Sequence, residues 1–181
     1  MAPTPDPAQP RVVLVVAAFI VLVAGAGVAV FALLGTEESD PPPAGDLTSA
    51  LAEAGPAGAP FAGLTELQLA VGDDCLRLVV ADAEAERGQG LRGRTELAPY
   101  DGMLFVNQSD TTAAYTMAGV TVPLEIGWYT AAGDLVDDTE MVPCPEGGPD
   151  CPLYSAAGRY RFALETLGGG LPSGSLGACP S

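Results

Sequence analysis

The feature that most constrains this chain is an unbroken hydrophobic segment near its amino terminus. Residues Val12 to Leu34 contain no charged residue and no proline. A helix rises about 1.5 Å per residue, so a helix over this segment can cross a hydrocarbon core about 30 Å thick. We therefore predict a single transmembrane helix at residues 12–34, through which the protein contacts a membrane.

The residues that flank this segment predict its orientation. Arg11 precedes it, whereas the residues at 37–40 are mainly acidic. Because positive charge is retained on the cytoplasmic side, we expect residues 1–11 to form a cytoplasmic tail and the carboxyl-terminal part to lie outside the cell membrane. The alternative is secretion after signal cleavage, since Ala24-Gly25-Ala26 suits signal peptidase, although the apolar part of such signals is usually only about 7 to 15 residues long.

The charge of the chain disfavours several classes of function. It has 23 Asp and Glu residues, seven basic residues that are all arginine, and no histidine. An acidic surface repels phosphate backbones, so no nucleic-acid partner is expected. The lack of lysine and histidine removes the commonest general base, the commonest transition-metal ligand and the Schiff-base nucleophile, which disfavours most enzyme classes and predicts no cofactor.

Beyond the hydrophobic segment, composition divides the chain into a linker and one domain. Residues 35–60 are rich in Pro, Ala and Gly and poor in large apolar residues, so they are predicted to form a linker. Within it, Asp46 to Ala54 could form one or two helical turns. Residues 61–181 are predicted to form a single small extracytoplasmic domain.

Short apolar runs separated by turn residues predict that this domain is mainly β, in an α+β fold of six or seven strands with one short helix. Gly133 and Asp134 favour a hairpin turn between two of the runs, and Asp82 could cap a helix over Ala83 to Arg87. The predicted strands are Leu67 to Val71, Cys75 to Ala81, Met103 to Val106, Leu124 to Tyr129, Leu135 to Val142 and Tyr160 to Leu164.

All four cysteines lie on the predicted exported side of the membrane. An even number in an oxidising compartment predicts two disulfides, for which three pairings exist. The flexible sequence between Cys144 and Cys151 favours a bond between these two, which leaves Cys75 to pair with Cys179. The alternatives are a four-cysteine metal site and a redox-active dithiol. The chain lacks the CxxC spacing that both generally use, so no metal is predicted.

Five motifs follow one another in a recognisable order. They are Glu86-Arg87 with Gln89-Gly90-Leu91 and Gly93-Arg94; Asp101-Gly102-Met103-Leu104-Phe105; Val122-Pro123-Leu124-Glu125-Ile126; Met141-Val142-Pro143-Cys144; and Cys151-Pro152 with Tyr154. This order resembles the domain of unknown function 192 family, over about Leu67 to Leu176. The resemblance implies a small curled sheet or barrel-like domain with one short helix, in uncharacterised exported or membrane-anchored bacterial and archaeal proteins, and it implies no activity.

The chain departs from the pattern of this family in one segment. The family usually has an aromatic-Trp-Met-Lys-Asn-Thr run before a Pro-Leu-Asp motif. Here the run reads Tyr115-Thr116-Met117-Ala118-Gly119-Val120, and the acid is Glu125. If the Lys and Asn belong to a site of the family, this chain has lost part of that site.

Three arginines stand close together in an otherwise acidic region, with glycines between them that would let backbone amides approach an anion. We predict an anion or carboxylate site at this place. The alternative is that the arginines form ion pairs with Glu86, Glu96, Asp101 or Glu125 and so stabilise a turn. The candidate ligand-binding residues are Arg87, Arg92, Arg94 and Glu125.

A group of four carboxylates raises the question of calcium binding. Asp134, Asp137, Asp138 and Glu140 supply the oxygen ligands that calcium prefers. On a strand, however, Asp138 and Glu140 would share one face and Asp137 the other, so a solvated strand edge is the preferred interpretation. The sequence leaves calcium binding open.

These observations favour a membrane-anchored extracytoplasmic binding or assembly module that is not an enzyme. Its partner would be a small ligand, a cell-envelope polymer or another envelope protein. The alternative is an enzyme or enzyme accessory of the cell envelope, with its site around Arg87, Arg92, Arg94 and Glu125. No catalytic residue is assigned.

Overall fold

The computed structural model describes residues 47–180. The predicted cytoplasmic tail, the predicted transmembrane segment at residues 12–34 and the first part of the predicted linker lie outside the described residues. Within residues 47–180, none of the helices has the length and apolar character needed to cross a bilayer.

The described chain forms one eight-stranded sheet, a separate two-stranded sheet and two short helices. The helices are α1 (Leu47–Ala52) and α2 (Glu84–Gln89). The strands are β1 (Gly55–Pro56), β2 (Thr65–Val71), β3 (Asp74–Ala81), β4 (Gly102–Thr111), β5 (Tyr115–Thr116), β6 (Leu124–Tyr129), β7 (Leu135–Met141), β8 (Leu153–Tyr154), β9 (Tyr160–Leu167) and β10 (Leu176–Gly177).

The strand order of the large sheet is β1-β2-β3-β4-β9-β6-β7, and β10 also pairs with β2. Every pairing in it is antiparallel except that of β3 with β4. Parallel neighbours need a long crossover rather than a tight turn, and residues 82–101 provide it. This crossover contains α2, which it places over one face of the sheet, where Gly90 lies against the ring of Phe105.

The sheet is open, because β7 forms one end of the strand order while β1 and β10 share the other end. The mainly β fold is confirmed, but the curled or barrel-like form that the family resemblance implies is not found. The described residues contain two short helices: α2 is the helix predicted for the domain, and α1 lies within Asp46 to Ala54, where one or two helical turns were expected. Strands β1 and β10 each pair with only two residues of β2. Neither is long enough to pair with β7 and close the sheet.

All six predicted strands are confirmed, and β6 has the predicted bounds. The predicted hairpin turn at residues 131–134 joins β6 to β7, which pair in antiparallel register. The predicted helix is present as α2, but its first residue follows Ala83 rather than Asp82. The carboxylate of Glu86 accepts hydrogen bonds from the backbone N–H groups of Asp82 (3.1 Å) and Ala83 (3.0 Å), so an acid inside the helix takes the capping role.

The packed structure includes residues 47–60, which their composition assigns to the linker. Leu47 and Ala57 are each only 8% exposed, and β1 pairs with β2. Leu47 contacts Gly133, whose carbonyl accepts a hydrogen bond from the N–H of Leu176 (2.8 Å). A few small apolar residues suffice here because the rest of the domain supplies the opposing surface.

The sheet has a core on each face. The core under α2 includes Met103, Phe105, Ile126 and Trp128, and the core on the other face is built from side chains such as Leu104, Tyr129 and Leu164. Strands β4, β6 and β9 contribute to both cores in alternation. Burial on both faces explains why apolar residues stand next to one another in these strands, as in Met103-Leu104-Phe105-Val106 of β4.

Both predicted disulfides are present, and the described residues contain no free cysteine. Cys75 and Cys179 join the start of β3 to the segment after β10, with their Cα atoms 5.4 Å apart. Cys144 and Cys151 close a short loop after β7, with a Cα separation of 5.9 Å. The backbone of Cys144 is hydrogen-bonded to Gly119 and Val120, which connects this loop to the segment after β5.

Candidate functional site

A buried carboxyl group lies at the centre of the face that α2 covers. Glu165 is on β9 between Met103 of β4 and Ile126 of β6, and only 6% of it is exposed. Within residues 47–180, no hydrogen bond or ion pair to its carboxyl oxygens is formed. A buried acid without a partner is uncommon, since desolvation penalises the group unless something compensates for it.

Burial raises the pKa of Glu165 to about 8, because the ionised form loses its hydration. The group is therefore mostly a protonated acid at neutral pH. In that form it can donate one hydrogen bond through its O–H group and accept others.

Glu165 opens onto a small cavity of about 210 Å³ between α2, the residues after it, and the segment that contains β5. A dry cavity of about 150 Å³ is large enough to take up benzene, so this space suits a molecule of similar size. We call it the Glu165 cavity. Its lining residues are Arg87, Gly88, Gln89, Gly90, Leu91, Arg92, Phe105, Ala114, Tyr115, Thr116, Met117, Val120 and Glu165.

Tyr115 forms part of the wall of the Glu165 cavity. Its ring packs edge-on against Phe105 at 5.4 Å between centroids, and it also contacts Trp128 and Tyr160 at 6.3 Å each. Burial raises the pKa of Tyr115, and the neighbouring Tyr160 and Glu165 raise it further, so its hydroxyl stays neutral. The hydroxyl of Tyr160 donates to the carbonyl of Ala113 (2.6 Å), which fixes the backbone just before β5.

Two of the predicted site residues, Arg87 and Arg92, line this cavity. The Nη1 of Arg87 donates to the carbonyl oxygens of Asp82 and Val106, the latter at 3.1 Å. The ion pairs of the described chain are Arg77–Glu66 and Arg161–Asp110, so neither cavity arginine is neutralised by a carboxylate there.

The other two predicted residues lie elsewhere. The guanidinium carbon of Arg94 stacks over the ring of Phe61, 4.4 Å from its centroid, beside a separate cavity. Glu125 lies on the opposite face of β6, because its neighbours Leu124 and Ile126 point into the core under α2. Its carboxylate accepts a hydrogen bond from the N–H of Leu171 (2.9 Å).

The ion pairs considered as the alternative for the three arginines are not formed among the described residues. Most of the candidate acids instead accept hydrogen bonds from backbone N–H groups. Asp101 accepts from the N–H of Arg77 (2.8 Å), as Glu86 does from the start of α2 and Glu125 from Leu171.

The four carboxylates considered for calcium lie at the β6–β7 hairpin and along β7, the last strand of the sheet. Asp137 accepts hydrogen bonds from the N–H of Asp138 (3.0 Å) and of Ala157 (2.9 Å). Asp134 and Thr130 are hydrogen-bonded within the hairpin turn. No three metal-binding side chains come together within residues 47–180.

Glu165 was not among the residues predicted from the sequence. It lies one residue beyond the predicted strand Tyr160 to Leu164, directly after the apolar residues Phe162-Ala163-Leu164. The one indication in the sequence was the position of this acid. Glu165 lies two residues after Ala163, so both side chains point to the α2 side of the strand.

The fold and the cavity define a class of protein: a small α+β domain with an open sheet, whose single parallel crossover carries a helix over a buried acid. The model of the domain of unknown function 192 family (DUF192, "Uncharacterized ACR") matches residues 67–174, and the chain belongs to this family. The matched region includes Arg87, Arg92, Tyr115 and Glu165.

The solved structures that are similar to this chain include two bacterial proteins. A protein of unknown function from Novosphingobium aromaticivorans DSM 12444 is 27% identical, with a TM-score of 0.57 over 68% of this chain and 93% of that one. A protein from Sinorhizobium meliloti 1021, described as a "putative transcription regulator", is 21% identical, with a TM-score of 0.51 over 61% of this chain and 90% of that one, and shows the fold alone. Comparison with curated proteins finds none that matches.

Proposed function

We propose that this protein is a membrane-anchored extracytoplasmic module that binds a small molecule in the Glu165 cavity. The observation that carries the proposal is the buried carboxyl of Glu165, which has no partner among residues 47–180 and opens onto a space lined by two arginines that form no ion pair there. A desolvated acid in a concave site is a candidate functional group, because active and binding sites are where such groups are placed. A bound ligand would supply the hydrogen bonds that the described residues do not.

Binding is favoured over catalysis by the chemistry of the residues that line the Glu165 cavity. They include one carboxyl, one phenol and one hydroxyl, from Thr116, but no thiol and no second carboxyl. Acid–base catalysis needs a donor and an acceptor of protons in matched positions, and nucleophilic catalysis needs an activated nucleophile. The alternative envelope enzyme would depend on Glu165 as its general acid, with Arg87 and Arg92 positioning an anion, while Arg94 and Glu125 lie outside this cavity.

The cavity can be tested by filling its mouth. Ala114 lines the Glu165 cavity and is exposed, whereas the neighbouring Ala113 is exposed but does not line it. We expect small-molecule ligands, found by NMR screening of the full chain in detergent, to bind the wild type and the Ala113→Trp control but not Ala114→Trp. Ligands that bind all three proteins equally, or a diverse library without any binder, would contradict the proposal.

The membrane location has a separate test. Disulfides form and persist in oxidising compartments, and residues 12–34 supply a hydrophobic segment of spanning length. After cell fractionation we expect the full chain in the membrane fraction, with its domain accessible to protease from outside, and a variant without residues 12–34 in the soluble fraction. A full-length chain that is soluble, or is protected from external protease, would exclude this location.

A further inference from the structure

We infer that the ligand of the Glu165 cavity is a small monocarboxylate, whose charged group binds Arg87 and Arg92 and accepts a hydrogen bond from the carboxyl of Glu165. This inference depends on the proposed function, since it names the chemical class of ligand for the same cavity. It follows from the charge of the cavity, the hydrogen-bonding capacity of its groups and the apolar part of its lining.

The charge of the cavity selects for an anion. The whole chain has a formal net charge of −16, so most of its surface repels anions. Arg87 and Arg92 face the cavity without an ion pair in the described chain. Arg87 is anchored through its Nη1, and its Nε and Nη2 make no hydrogen bond within residues 47–180. A guanidinium held in this way presents a planar pair of donors, which fits a carboxylate.

The hydrogen-bonding capacity of Glu165 favours the same class of ligand. A protonated carboxyl donates its O–H to a carboxylate, and a nearby anion in turn favours the protonated form. A cation would favour the ionised form instead. Glu165 and a carboxylate ligand therefore complement each other as donor and acceptor.

The size and the lining of the cavity limit the rest of the molecule. A space of about 210 Å³ can enclose only a small molecule or a small group. Part of its wall is apolar, so a short hydrocarbon body would bury apolar surface there. These side chains are Leu91, Phe105, Met117 and Val120.

Glu165 is the group in this cavity whose charge changes near neutral pH. Arg87 comes from α2, Arg92 from the residues after it and Tyr115 from β5, while Tyr160 is on the same strand as Glu165. Burial raises the pKa of both tyrosines. Strands β4 and β6 present apolar side chains to this face: Met103, Phe105, Leu124, Ile126 and Trp128.

The affinity of the cavity for a carboxylate should depend on pH. A carboxylate ligand stabilises protonated Glu165, so its affinity should fall as the pH rises through about 8, by about tenfold per pH unit once Glu165 is ionised. Binding near that pH should take up protons from the buffer. A cationic ligand would show the opposite trend and release protons.

The test compares three probes of equal length and different charge: butyrate, 1-butanol and n-butylammonium. Isothermal titration calorimetry of the full chain in detergent, from about pH 6 to about pH 9 and in two buffers of different ionisation enthalpy, measures affinity and proton uptake together. We expect butyrate to bind at least about tenfold more tightly than 1-butanol at about pH 6, with n-butylammonium the weakest.

Three variants link this result to the named residues. Arg92→Met removes an exposed cation that the fold does not use in an ion pair, and it should abolish the preference for butyrate over 1-butanol. The control Arg159→Met removes an exposed arginine that does not line the cavity, and it should keep the preference. Glu165→Gln should keep butyrate binding and lose its pH dependence above about pH 7.

The failures of the two proposals can be distinguished. Tighter binding of n-butylammonium with proton release, equal binding of butyrate and 1-butanol, or library ligands that all lack a carboxylate would overturn the monocarboxylate and leave the binding module intact. If no compound binds in a manner that Ala114→Trp blocks, the proposed function itself fails.

Discussion

The position of Glu165 in the fold favours the uncharged form of its carboxyl group. Its neighbours on β4 and β6 are apolar, and no described group bonds to its carboxyl. A methionine or leucine would fit such a position without this penalty, so the acid weakens the fold where it stands. Residues that reduce stability in a cavity are candidates for function.

Stability should therefore depend on pH through this single side chain. In the unfolded chain a glutamate titrates near pH 4.3 or so, whereas burial raises the pKa of Glu165 to about 8. Between these values folding takes up a proton, so the free energy of unfolding falls as the pH rises, by up to about 1.4 kcal/mol per pH unit, and then levels off.

The variant Glu165→Gln carries no titrating group at this position, so its melting temperature should change less with pH between about pH 5 and about pH 8. At the upper end of this range it should melt above the wild type. Thermal unfolding followed by circular dichroism measures both effects, and Glu84→Gln, on the exposed side of α2, is the matched control. Parallel profiles for the wild type and Glu165→Gln would show that the carboxyl is not desolvated.

Among the elements, α2 decides whether the cavity exists, because it forms one wall of it. The helix is short and contains Gly88, which makes it weak in isolation. Its end is set by Gly90, whose φ of 48° belongs to the left-handed region. A Cβ added there would lie 3.4 Å from the Phe105 ring, which is van der Waals contact, so the positive φ rather than a lack of space favours glycine.

The two glycines should respond in opposite ways to alanine. At Gly88 no atom lies within 4 Å of an added Cβ, so Gly88→Ala should stabilise the protein by about 0.5–1 kcal/mol. Gly90→Ala should destabilise it by at least about 1 kcal/mol, because alanine strains the left-handed backbone. Chemical denaturation of both variants measures the difference. Equal effects would mean that α2 does not end at Gly90.

The same elements show how far the sequence could predict this fold. Strand β6 was predicted with its observed bounds because five of its six residues are buried, so Glu125 is the one charged residue among apolar residues and glycine. The two-residue strands, such as β1 and β10, were not predicted because they exist through backbone pairing to β2, and two residues carry no periodicity. The burial of Leu47 could not be predicted for a related reason, since its partners bury it and its local composition does not indicate a core.

The site was predicted in part. Arg87 and Arg92 were predicted as ligand-binding residues because cations are rare in this chain, and both line the cavity. Glu125 was predicted to belong to the same site because it lies in one of the family motifs. Strand alternation places its side chain on the other face of the sheet. Glu165 was missed because an acid after Leu164 has no assigned face until its pairing with Met103 and Ile126 is known.

At the scale of the whole molecule, the two disulfides constrain different things. The bond between Cys75 and Cys179 spans a sequence separation of 104 and ties the carboxyl-terminal segment to the large sheet. The bond between Cys144 and Cys151 spans only 7 residues, but its loop holds the backbone of Val120, a residue of the cavity wall. One bond should matter mainly for stability and the other mainly for the site.

This difference can be measured with two double variants. In the loop-entropy model, replacing Cys75 and Cys179 by serine costs up to about 4.8 kcal/mol, compared with about 2.5 kcal/mol for Cys144 and Cys151. We expect the larger drop in melting temperature for the Cys75/Cys179 variant. The Cys144/Cys151 variant should lose more ligand affinity for each degree by which its melting temperature falls. A reversed order in both measurements would contradict the assigned roles.

The contact of Leu47 and Leu176 at Gly133 brings the beginning and the end of the described domain together. A chain with this property can be circularly permuted, since a short Gly/Ser bridge could join its ends without crossing the molecule. New ends opened in the exposed loop at residues 145–150 would leave the crossover and the cavity uninterrupted. The order in which the strands occur along the chain is then separable from the arrangement that forms the site, and a permutant could be attached to a surface or a reporter from a different side.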